Sequence, residues 1–203
     1  MVIGKMKMAV IAAALLLAGA TPTAFAEGDM ARGEKLGYTC LGCHGIEGYR
    51  NAYPSFRVPR LGGQKAAYFV AALQGYRDGS RPHRTMAAQA SSMTDQDIED
   101  VSAYLASLSG DTVAAGGSTA PGLEETTACT ACHGQNGISV SPTWPTLAGQ
   151  HEDYLVHALK QYRDGTRKNV LMMPLAAALT DSDIALLAKY YAGLEGLETS
   201  KAN

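Results

Sequence analysis

The sequence lacks the excess of lysine and arginine that nucleic-acid-binding proteins carry. Its 203 residues contain 17 Lys and Arg against 19 Asp and Glu, which gives a formal net charge of −2 at pH 7. Binding to a phosphate backbone needs clustered basic side chains. We therefore expect no nucleic acid among the partners of this protein.

Long apolar runs are equally scarce. The longest, residues 9–20, falls well short of the roughly 20 apolar residues that span a bilayer. It follows Lys5 and Lys7 and precedes the triplet AFA at 24–26, an arrangement typical of a secretory signal peptide. We expect residues 1–26 to be removed on export to the bacterial periplasm, leaving a mature protein without a transmembrane span.

Cysteine is also rare, and its distribution is informative. The chain has four cysteines, which occur as CLGCHG at 40–45 and CTACHG at 129–134. Both copies place a histidine directly after the second cysteine. A disulfide alone does not account for that histidine.

The two motifs head two copies of a longer repeat. LGGQKAAYFVAALQGYRDGSR at 61–81 aligns with LAGQHEDYLVHALKQYRDGTR at 147–167, and the same offset of 86 residues aligns MTDQDIEDVSAYLASL at 93–108 with LTDSDIALLAKYYAGL at 179–194. The first copy has three extra residues, which lie in the loop YRNAYPSFRVP. A linker rich in Gly, Ser and Ala separates the two copies. We predict a signal peptide at 1–26, one domain at 27–109, a linker at 110–121 and a second domain at 122–203.

Each unit is predicted to be all-α, with three helices joined by loops. Tyr68, Ala72 and Tyr76 mark one buried face of the second helix, and the second unit repeats this stripe. The third helix begins after Thr94 or Thr180, each followed three residues later by an Asp in a capping-box relation. No segment alternates apolar and polar residues for long enough to predict a sheet.

Three chemistries compete for the cysteines. Disulfides are common in exported proteins, but a CxxC loop is so short that closing it stabilises little. A structural zinc site needs four ligands, and each CxxCH motif offers only three, two cysteines and one histidine. Covalent haem uses all three, because the two thiols attach the porphyrin and the adjacent imidazole binds the iron. Disulfides and zinc stay as alternatives. We predict two haem c groups, attached through Cys40 and Cys43 and through Cys129 and Cys132, with His44 and His133 as iron ligands.

The repeat also selects candidates for the opposite axial position of each iron, which decides whether a haem transfers electrons or binds small ligands. Met86 aligns with Met172, whereas Met93 and Met173 align with residues of other types. We therefore predict Met86 and Met172 as iron ligands. Met173 stays open as an alternative to Met172, because adjacent methionines could exchange roles, and His83 is a weaker alternative to Met86.

Four arginines occupy equivalent positions in YRDGSR and YRDGTR, namely Arg77, Arg81, Arg163 and Arg167. We hypothesise that they pair with haem propionates or with acidic residues across a domain interface. Solvation at the end of a helix is the alternative. His151 and His157, which have no counterpart in the other unit, are predicted to lie on the surface or on a helix face.

Together these motifs resemble the dihaem cytochrome c4 family over essentially the whole mature chain. The shared pattern is a CxxCH motif, an LxGQ…YRDGxR helix, a methionine segment and a [ML]TDxDI helix, all present twice. The resemblance implies two tandem class I cytochrome c domains that face each other across a pseudo-twofold interface, each wrapped around one haem. It also implies that the carbonyl of Pro59 or Pro145 orients the adjacent histidine ring.

The function that the resemblance implies is electron transfer and not catalysis. It describes a periplasmic carrier of single electrons in a respiratory chain, between a quinol-oxidising donor and a terminal oxidase or similar acceptor, often in peripheral contact with the membrane. One alternative is the cytochrome subunit of a periplasmic dehydrogenase, such as a flavin-containing sulfide-oxidising complex. A dihaem redox enzyme is less favoured, because a cysteine-ligated haem needs a fifth cysteine and a peroxidase needs an open iron site.

Overall fold

The computed structural model describes residues 28–108, Val113 and residues 122–201. The predicted signal peptide at 1–26 and, apart from Val113, the predicted linker at 110–121 lie outside these ranges. Within them the chain forms helices and two isolated bridges but no β-strand, which confirms the all-α prediction. The described helices are α1 (Met30–Gly37), α2 (Leu41–His44), α3 (Ala66–Asp78), α4 (Arg84–Ala90), α5 (Asp95–Ser107), α6 (Thr127–His133), α7 (Glu152–Arg163), α8 (Met172–Ala177) and α9 (Asp181–Ala192).

Each half has its own apolar core, built on the helix pair that the repeat predicts. Helices α3 and α5 supply the first core, and α7 and α9 supply the second. The equivalent residues Ile98 and Ile184 are fully buried. Helix α1 crosses α5 at Gly33, where an added Cβ would lie 2.0 Å from the carbonyl oxygen of Asp100, so these helices pack backbone to backbone.

The predicted helix ends are present in both halves. The side chains of Thr94 and Thr180 each accept a hydrogen bond from the backbone N–H of the Asp three residues later. In return, the side chain of that Asp accepts a hydrogen bond from the backbone N–H of the threonine. Gly79 and Gly165 follow α3 and α7 with φ angles of 81° and 76°. Glycine adopts this left-handed conformation without steric cost, so the YRDG motif ends each helix.

Two predicted segments differ from the structure. The first helix of the first unit is interrupted by a 3-10 turn at Tyr38–Cys40 that leads into α2. That of the second unit begins with a 3-10 turn at Glu124–Thr126 that leads into α6, so both CxxCH motifs are helical. The methionine segments, which lie between the predicted second and third helices of each unit, form the short helices α4 and α8. Among the described residues no helix is long and apolar enough to cross a bilayer.

The two halves pack against each other through their LxGQ segments. Nε2 of Gln64 donates to the carbonyl of Thr146 at 3.0 Å, and its Oε1 accepts from the Thr146 N–H at 3.0 Å. Gln150 bonds in the same way to the backbone of Arg60, at 3.0 Å and 2.9 Å. Because Arg60 and Thr146 are equivalent in the repeat, the contact has the pseudo-twofold character that the resemblance implied.

The C-terminal segment reinforces this interface. The N–H of Leu197 donates to the carbonyl of Ala148 at 2.7 Å, while Glu198 and Gly62 exchange two backbone hydrogen bonds of 2.9 Å. Leu197 is buried beside them. Gly62 and Ala148 are equivalent positions, so one segment bonds to the LxGQ motifs of both halves.

Candidate haem sites

Both CxxCH motifs lie on helical turns that place their first cysteine against a core. All four cysteines are unpaired and half-buried. Cys40 packs against the first core and Cys129 against the second. Burial raises the pKa of both thiols, so they are protonated at neutral pH and differ from the reactive thiolates of redox enzymes.

The histidines of the two motifs are held in the same way. Nδ1 of His44 lies 2.8 Å from the carbonyl oxygen of Pro59, and Nδ1 of His133 lies 2.8 Å from that of Pro145. A carbonyl oxygen is an acceptor, so Nδ1 carries the proton and donates it. Nε2 is left with a free lone pair, which is the form in which imidazole binds a metal.

Burial also keeps these two imidazoles neutral. It lowers the pKa of His44 and of His133, and it outweighs the bond to the proline carbonyl, which acts in the opposite direction. The positive charge of Arg81 lowers the pKa of His44 further. Both side chains are therefore in the protonation state that an iron ligand needs.

Met86 and Met172 are positioned by equivalent capping residues. Nδ1 of His83 accepts a hydrogen bond of 3.2 Å from the Met86 N–H, and Oδ1 of Asn169 accepts one of 2.9 Å from the Met172 N–H. His83 and Asn169 align in the repeat, so two different side chains have the same structural role. His83 is engaged as a helix cap, which favours Met86 over His83 as a ligand.

The other two methionines lie in packing positions. Met93 packs against the first core, as Met86 does, but it lies beyond α4 and has no methionine at the equivalent position of the repeat. The methyl group of Met173 lies beside Gly165, 3.7 Å from where a Cβ would stand. Met172 and Met173 are both half-buried, but of the two only Met172 donates its backbone N–H to the side chain of Asn169, as Met86 does to that of His83. These contacts favour Met172 over Met173.

The loop that carries the three extra residues packs on the second half. Phe56 is buried and stacks on His157, with ring centroids 4.4 Å apart, and its ring also meets His83 edge-on at 6.1 Å. Asp153, at the start of α7, accepts hydrogen bonds of 3.1 Å from the backbone N–H and from Nε of Arg57. The loop therefore connects the cap of α4 to the second half.

The prediction of a surface or helix-face position was wrong for His151. The residue is 4% exposed and lies just before α7 at the interface. Burial, followed by the charges of Arg60 and Arg57, lowers its pKa to about 4. His157 does lie on a face of α7, where it stacks on Phe56.

The four arginines of the YRDGxR motifs separate into two pairs. Arg77 and Arg163 each form an ion pair within their own half, with Asp95 at 2.5 Å and with Asp181 at 2.6 Å. The hypothesis of propionate or interdomain pairing is therefore wrong for these two.

The other pair, Arg81 and Arg167, bonds across the interface. Nη2 of Arg81 donates to the hydroxyl of Tyr154 at 2.6 Å, and Nη2 of Arg167 donates to that of Tyr68 at 3.3 Å. Tyr68 and Tyr154 are equivalent in the repeat, so this contact is also reciprocal.

The residues of each half fit a covalently attached haem. Two unpaired thiols stand beside an imidazole whose Nε2 is free, and a capped methionine is available in the same half. A structural zinc has no ligand set, since no three His, Cys, Asp or Glu side chains converge within the described ranges. Two such helical halves define the class of the protein: a c-type cytochrome with two haem groups.

Comparison with known proteins identifies the family. The cytochrome c family matches residues 30–109 and 123–195. The chain is 34% identical to cytochrome c4 of Pseudomonas aeruginosa over 198 residues, covering 89% of this chain and 96% of that protein. It is 33% identical to a thiosulfate dehydrogenase electron acceptor of Stutzerimonas stutzeri over 178 residues, covering 80% of this chain and 82% of that one. The crystal structure of reduced recombinant cytochrome c4 from Pseudomonas stutzeri aligns with a TM-score of 0.66 at 30% identity, covering 83% of this chain and 100% of that chain.

The chain belongs to the cytochrome c family and, within it, to the cytochrome c4 proteins. It is a dihaem electron carrier and not an enzyme. Its two CxxCH motifs account for two haem c groups.

Sequence reasoning missed the residues that join the halves. The repeat contained Gln64 and Gln150, but periodicity gave no sign that each side chain would bond to the other half. Phe56 and Asp153 gave no repeat signal, since one lies in the longer loop and the other aligns with an alanine. The unequal length of that loop was the one available indication that it has a separate role.

Proposed function

We propose that Cys40 and Cys43 attach one haem with His44 and Met86 as axial ligands, and that Cys129 and Cys132 attach the other with His133 and Met172. The observation that carries this proposal is the duplicated histidine geometry, in which each Nδ1 lies 2.8 Å from a proline carbonyl. It leaves one nitrogen of each ring free to bind iron. The equivalent caps of the two methionines support the same ligand sets.

These residues suit reversible electron transfer. When bound, each haem iron supplies a one-electron change between Fe(III) and Fe(II). Imidazole and thioether ligands favour Fe(II) over harder ligand sets and so raise the potential. With both axial positions filled by protein side chains, neither iron has an open site for oxygen or peroxide.

The role that follows is a carrier of single electrons in a periplasmic respiratory chain. The donor would be a quinol-oxidising complex, and the acceptor a terminal oxidase or a similar complex. The signal-peptide pattern at 1–26 supports export, and the domains would be residues 27–109 and 122–203. The LxGQ contacts between the halves support a molecule that holds its two haem sites in a fixed relation.

A potentiometric titration followed by visible spectra tests this proposal. The expected result is two low-spin haems with positive midpoint potentials. A high-spin component that binds cyanide or peroxide rapidly in the resting protein would contradict the ligand assignment and favour an enzyme.

A second candidate function is the cytochrome partner of a periplasmic dehydrogenase. The similarity to a thiosulfate dehydrogenase electron acceptor supports it. Rapid reduction of the purified protein by thiosulfate together with such a dehydrogenase, measured by stopped flow, would favour this candidate. Purification from cell extract with no bound subunit and slow reduction in that assay would favour the free respiratory carrier.

A further inference from the structure

The peptide that orients His44 is hydrogen-bonded on both of its sides. Its carbonyl, that of Pro59, accepts from Nδ1 of His44 at 2.8 Å. Its N–H, that of Arg60, donates to Oε1 of Gln150 at 2.9 Å. This carbonyl and this N–H belong to one peptide unit, which is planar. A continuous chain of hydrogen bonds therefore runs from the ring of His44 to the amide of Gln150 in the other half.

The same chain of bonds is present at His133, in the opposite direction. Nδ1 of His133 lies 2.8 Å from the carbonyl oxygen of Pro145. The next N–H, that of Thr146, donates to Oε1 of Gln64 at 3.0 Å. These four residues are equivalent in the repeat to those of the first chain. Each histidine is thus connected to the glutamine of the half to which it does not belong.

Both glutamine side chains are held in one orientation. Nε2 of each donates, at 3.0 Å, to the carbonyl of the residue whose N–H its oxygen accepts. Oε1 of Gln64 also accepts from the Lys65 N–H at 3.2 Å, and Oε1 of Gln150 accepts from the His151 N–H at 3.0 Å. A flipped amide would lose all these bonds, because its NH₂ group would face two N–H donors. The oxygen therefore faces the peptide N–H in both halves.

Little water reaches these bonds. Gln64, Gln150 and Thr146 are buried, and Arg60 is half-buried. In a place of low dielectric constant, consecutive hydrogen bonds polarise one another, and each strengthens its neighbour by about 10–30%. An acceptor on the peptide N–H therefore makes the carbonyl of that peptide a better acceptor for the imidazole N–H.

We propose that Gln64 and Gln150 are positioning residues for the iron ligand of the opposite half. Gln150 acts on His44 and Gln64 acts on His133, each through the peptide that its oxygen binds. The inference rests on the histidine ligation of the proposed function. It adds that each half controls how basic the other half's ligand is.

This control has a definite direction at the iron. A stronger hydrogen bond at Nδ1 makes the imidazole more basic at Nε2. A more basic ligand stabilises Fe(III) relative to Fe(II), and hydrogen bonds to the ligands are one means by which a protein sets a haem potential. Each glutamine therefore lowers the potential of the haem in the opposite half.

An NMR-monitored redox titration of Gln64→Leu and Gln150→Leu tests the proposal, because it measures the two haems separately. Leucine accepts no hydrogen bond, so we expect the reduction equilibrium of the opposite haem to shift about threefold toward Fe(II), which is about 28 mV for a one-electron couple. The haem of the mutated half should keep its potential. Gln96→Leu is the matched control, since Gln96 donates to Asp100 of its own half at 2.8 Å, and both haems should match the wild type.

The proton on Nδ1 of each histidine reports the bond itself. In the reduced protein with ¹⁵N-labelled histidine, we expect the Nδ1 proton of His133 to move upfield in Gln64→Leu, because a weaker hydrogen bond deshields the proton less. The proton of His44 should stay in place. Gln150→Leu should give the converse result. General loosening of the interface would not direct the change to the opposite half in both variants.

Glutamate variants keep the proposal testable if the leucine variants do not fold. Glutamate retains the length of the side chain and an acceptor oxygen, and at pH 8 a carboxylate is a stronger acceptor than an amide. We therefore expect the reverse change in Gln64→Glu and Gln150→Glu, with the Nδ1 proton of the opposite histidine moving downfield. A signal that stays in place in both glutamate variants would contradict the proposal.

Unchanged potentials and unchanged histidine signals in both leucine variants would overturn the proposal. A fall in the potential of the opposite haem, equal changes at both haems, or a change confined to the mutated half would also overturn it. If the wild type lacks two low-spin haems with histidine ligands, the proposed function fails first. If it has them and the glutamine variants behave like Gln96→Leu, this inference alone fails.

Discussion

Gln64 and Gln150 stand at equivalent positions in the two halves, and each side chain forms two hydrogen bonds with the backbone of the opposite half. Both are 5% exposed. Amide side chains suit this task, because one amide offers both a donor and an acceptor to a backbone segment. The last residue of each LxGQ motif therefore joins the two halves.

Replacing Gln64 with leucine should destabilise the interface. The change removes the partners of the Thr146 backbone N–H and carbonyl. Because Thr146 is only 1% exposed, water cannot replace those partners. We expect a loss of about 1–3 kcal/mol in the free energy of unfolding, measured by denaturant titration. The exposed Gln89 provides a control, and Gln89→Leu should stay within about 0.5 kcal/mol of the wild type. Equal stability of the two variants would show that the Gln64 bonds contribute nothing measurable.

Met172→Ala and Met173→Ala should differ sharply. Loss of Met172 would remove an axial ligand, so we expect one haem to become high-spin, with a drop in the far-red absorption band that methionine ligation gives to ferric haem. Met173→Ala should keep the band, since its methyl group packs beside Gly165. The reverse pattern would assign Met173 as the ligand, and Met86→Ala should show the Met172 result at the other haem.

Truncating Phe56 should weaken the contact between the longer loop and the second half. Its ring is 4% exposed and stacks on His157, so Phe56→Ala removes packing that no other side chain replaces. We expect a cost of about 3–5 kcal/mol in thermal or denaturant unfolding. Tyr53→Ala in the same loop is the control, because Tyr53 is 93% exposed. Similar losses in both variants would mean that the loop contributes as a whole and that the stacked ring has no special role.

His151 should make stability depend on pH. Its pKa is about 4 in the folded protein, lowered by burial and then by Arg60 and Arg57, against about 6.5 in the unfolded chain. As pH falls from about 6.5 to about 4, the unfolded chain takes up a proton that the folded protein does not. The free energy of unfolding should therefore fall by up to about 1.4 kcal/mol per pH unit in this window. Above about pH 6.5, the contribution of His151 to the free energy of unfolding should not change with pH.

The measurement is a series of denaturant titrations between pH 4 and pH 8. His151→Gln should show a smaller slope than the wild type between about pH 4 and 6.5. The exposed neighbour Glu152 offers a control, and Glu152→Gln should keep the slope of the wild type. If His151→Gln leaves the pH dependence of the free energy of unfolding unchanged, His151 has the same pKa in the folded and the unfolded protein.

The accuracy of sequence reasoning differed between local and interface features. Thr94 and Thr180 predicted their capping boxes, because a cap is made by residues three positions apart. His151 was predicted wrongly, because it is buried at an interface where the fold brings the charges of Arg57 and Arg60 of the first half near it. The sequence could not separate the two arginines of one motif. Arg77 pairs with Asp95 in its own half, whereas Arg81 bonds to Tyr154 of the other half.

The sequence by itself determined the chemistry and the duplication. Two CxxCH motifs specify covalent haem, and matching helices and methionines specify two similar units, because these signals lie in residue types at short, fixed spacing. Only the tertiary structure decided how the units meet. Gln64, Phe56 and Arg167 acquire their partners from residues about 80 to 100 positions away in the chain, and such contacts depend on packing geometry that no local pattern encodes.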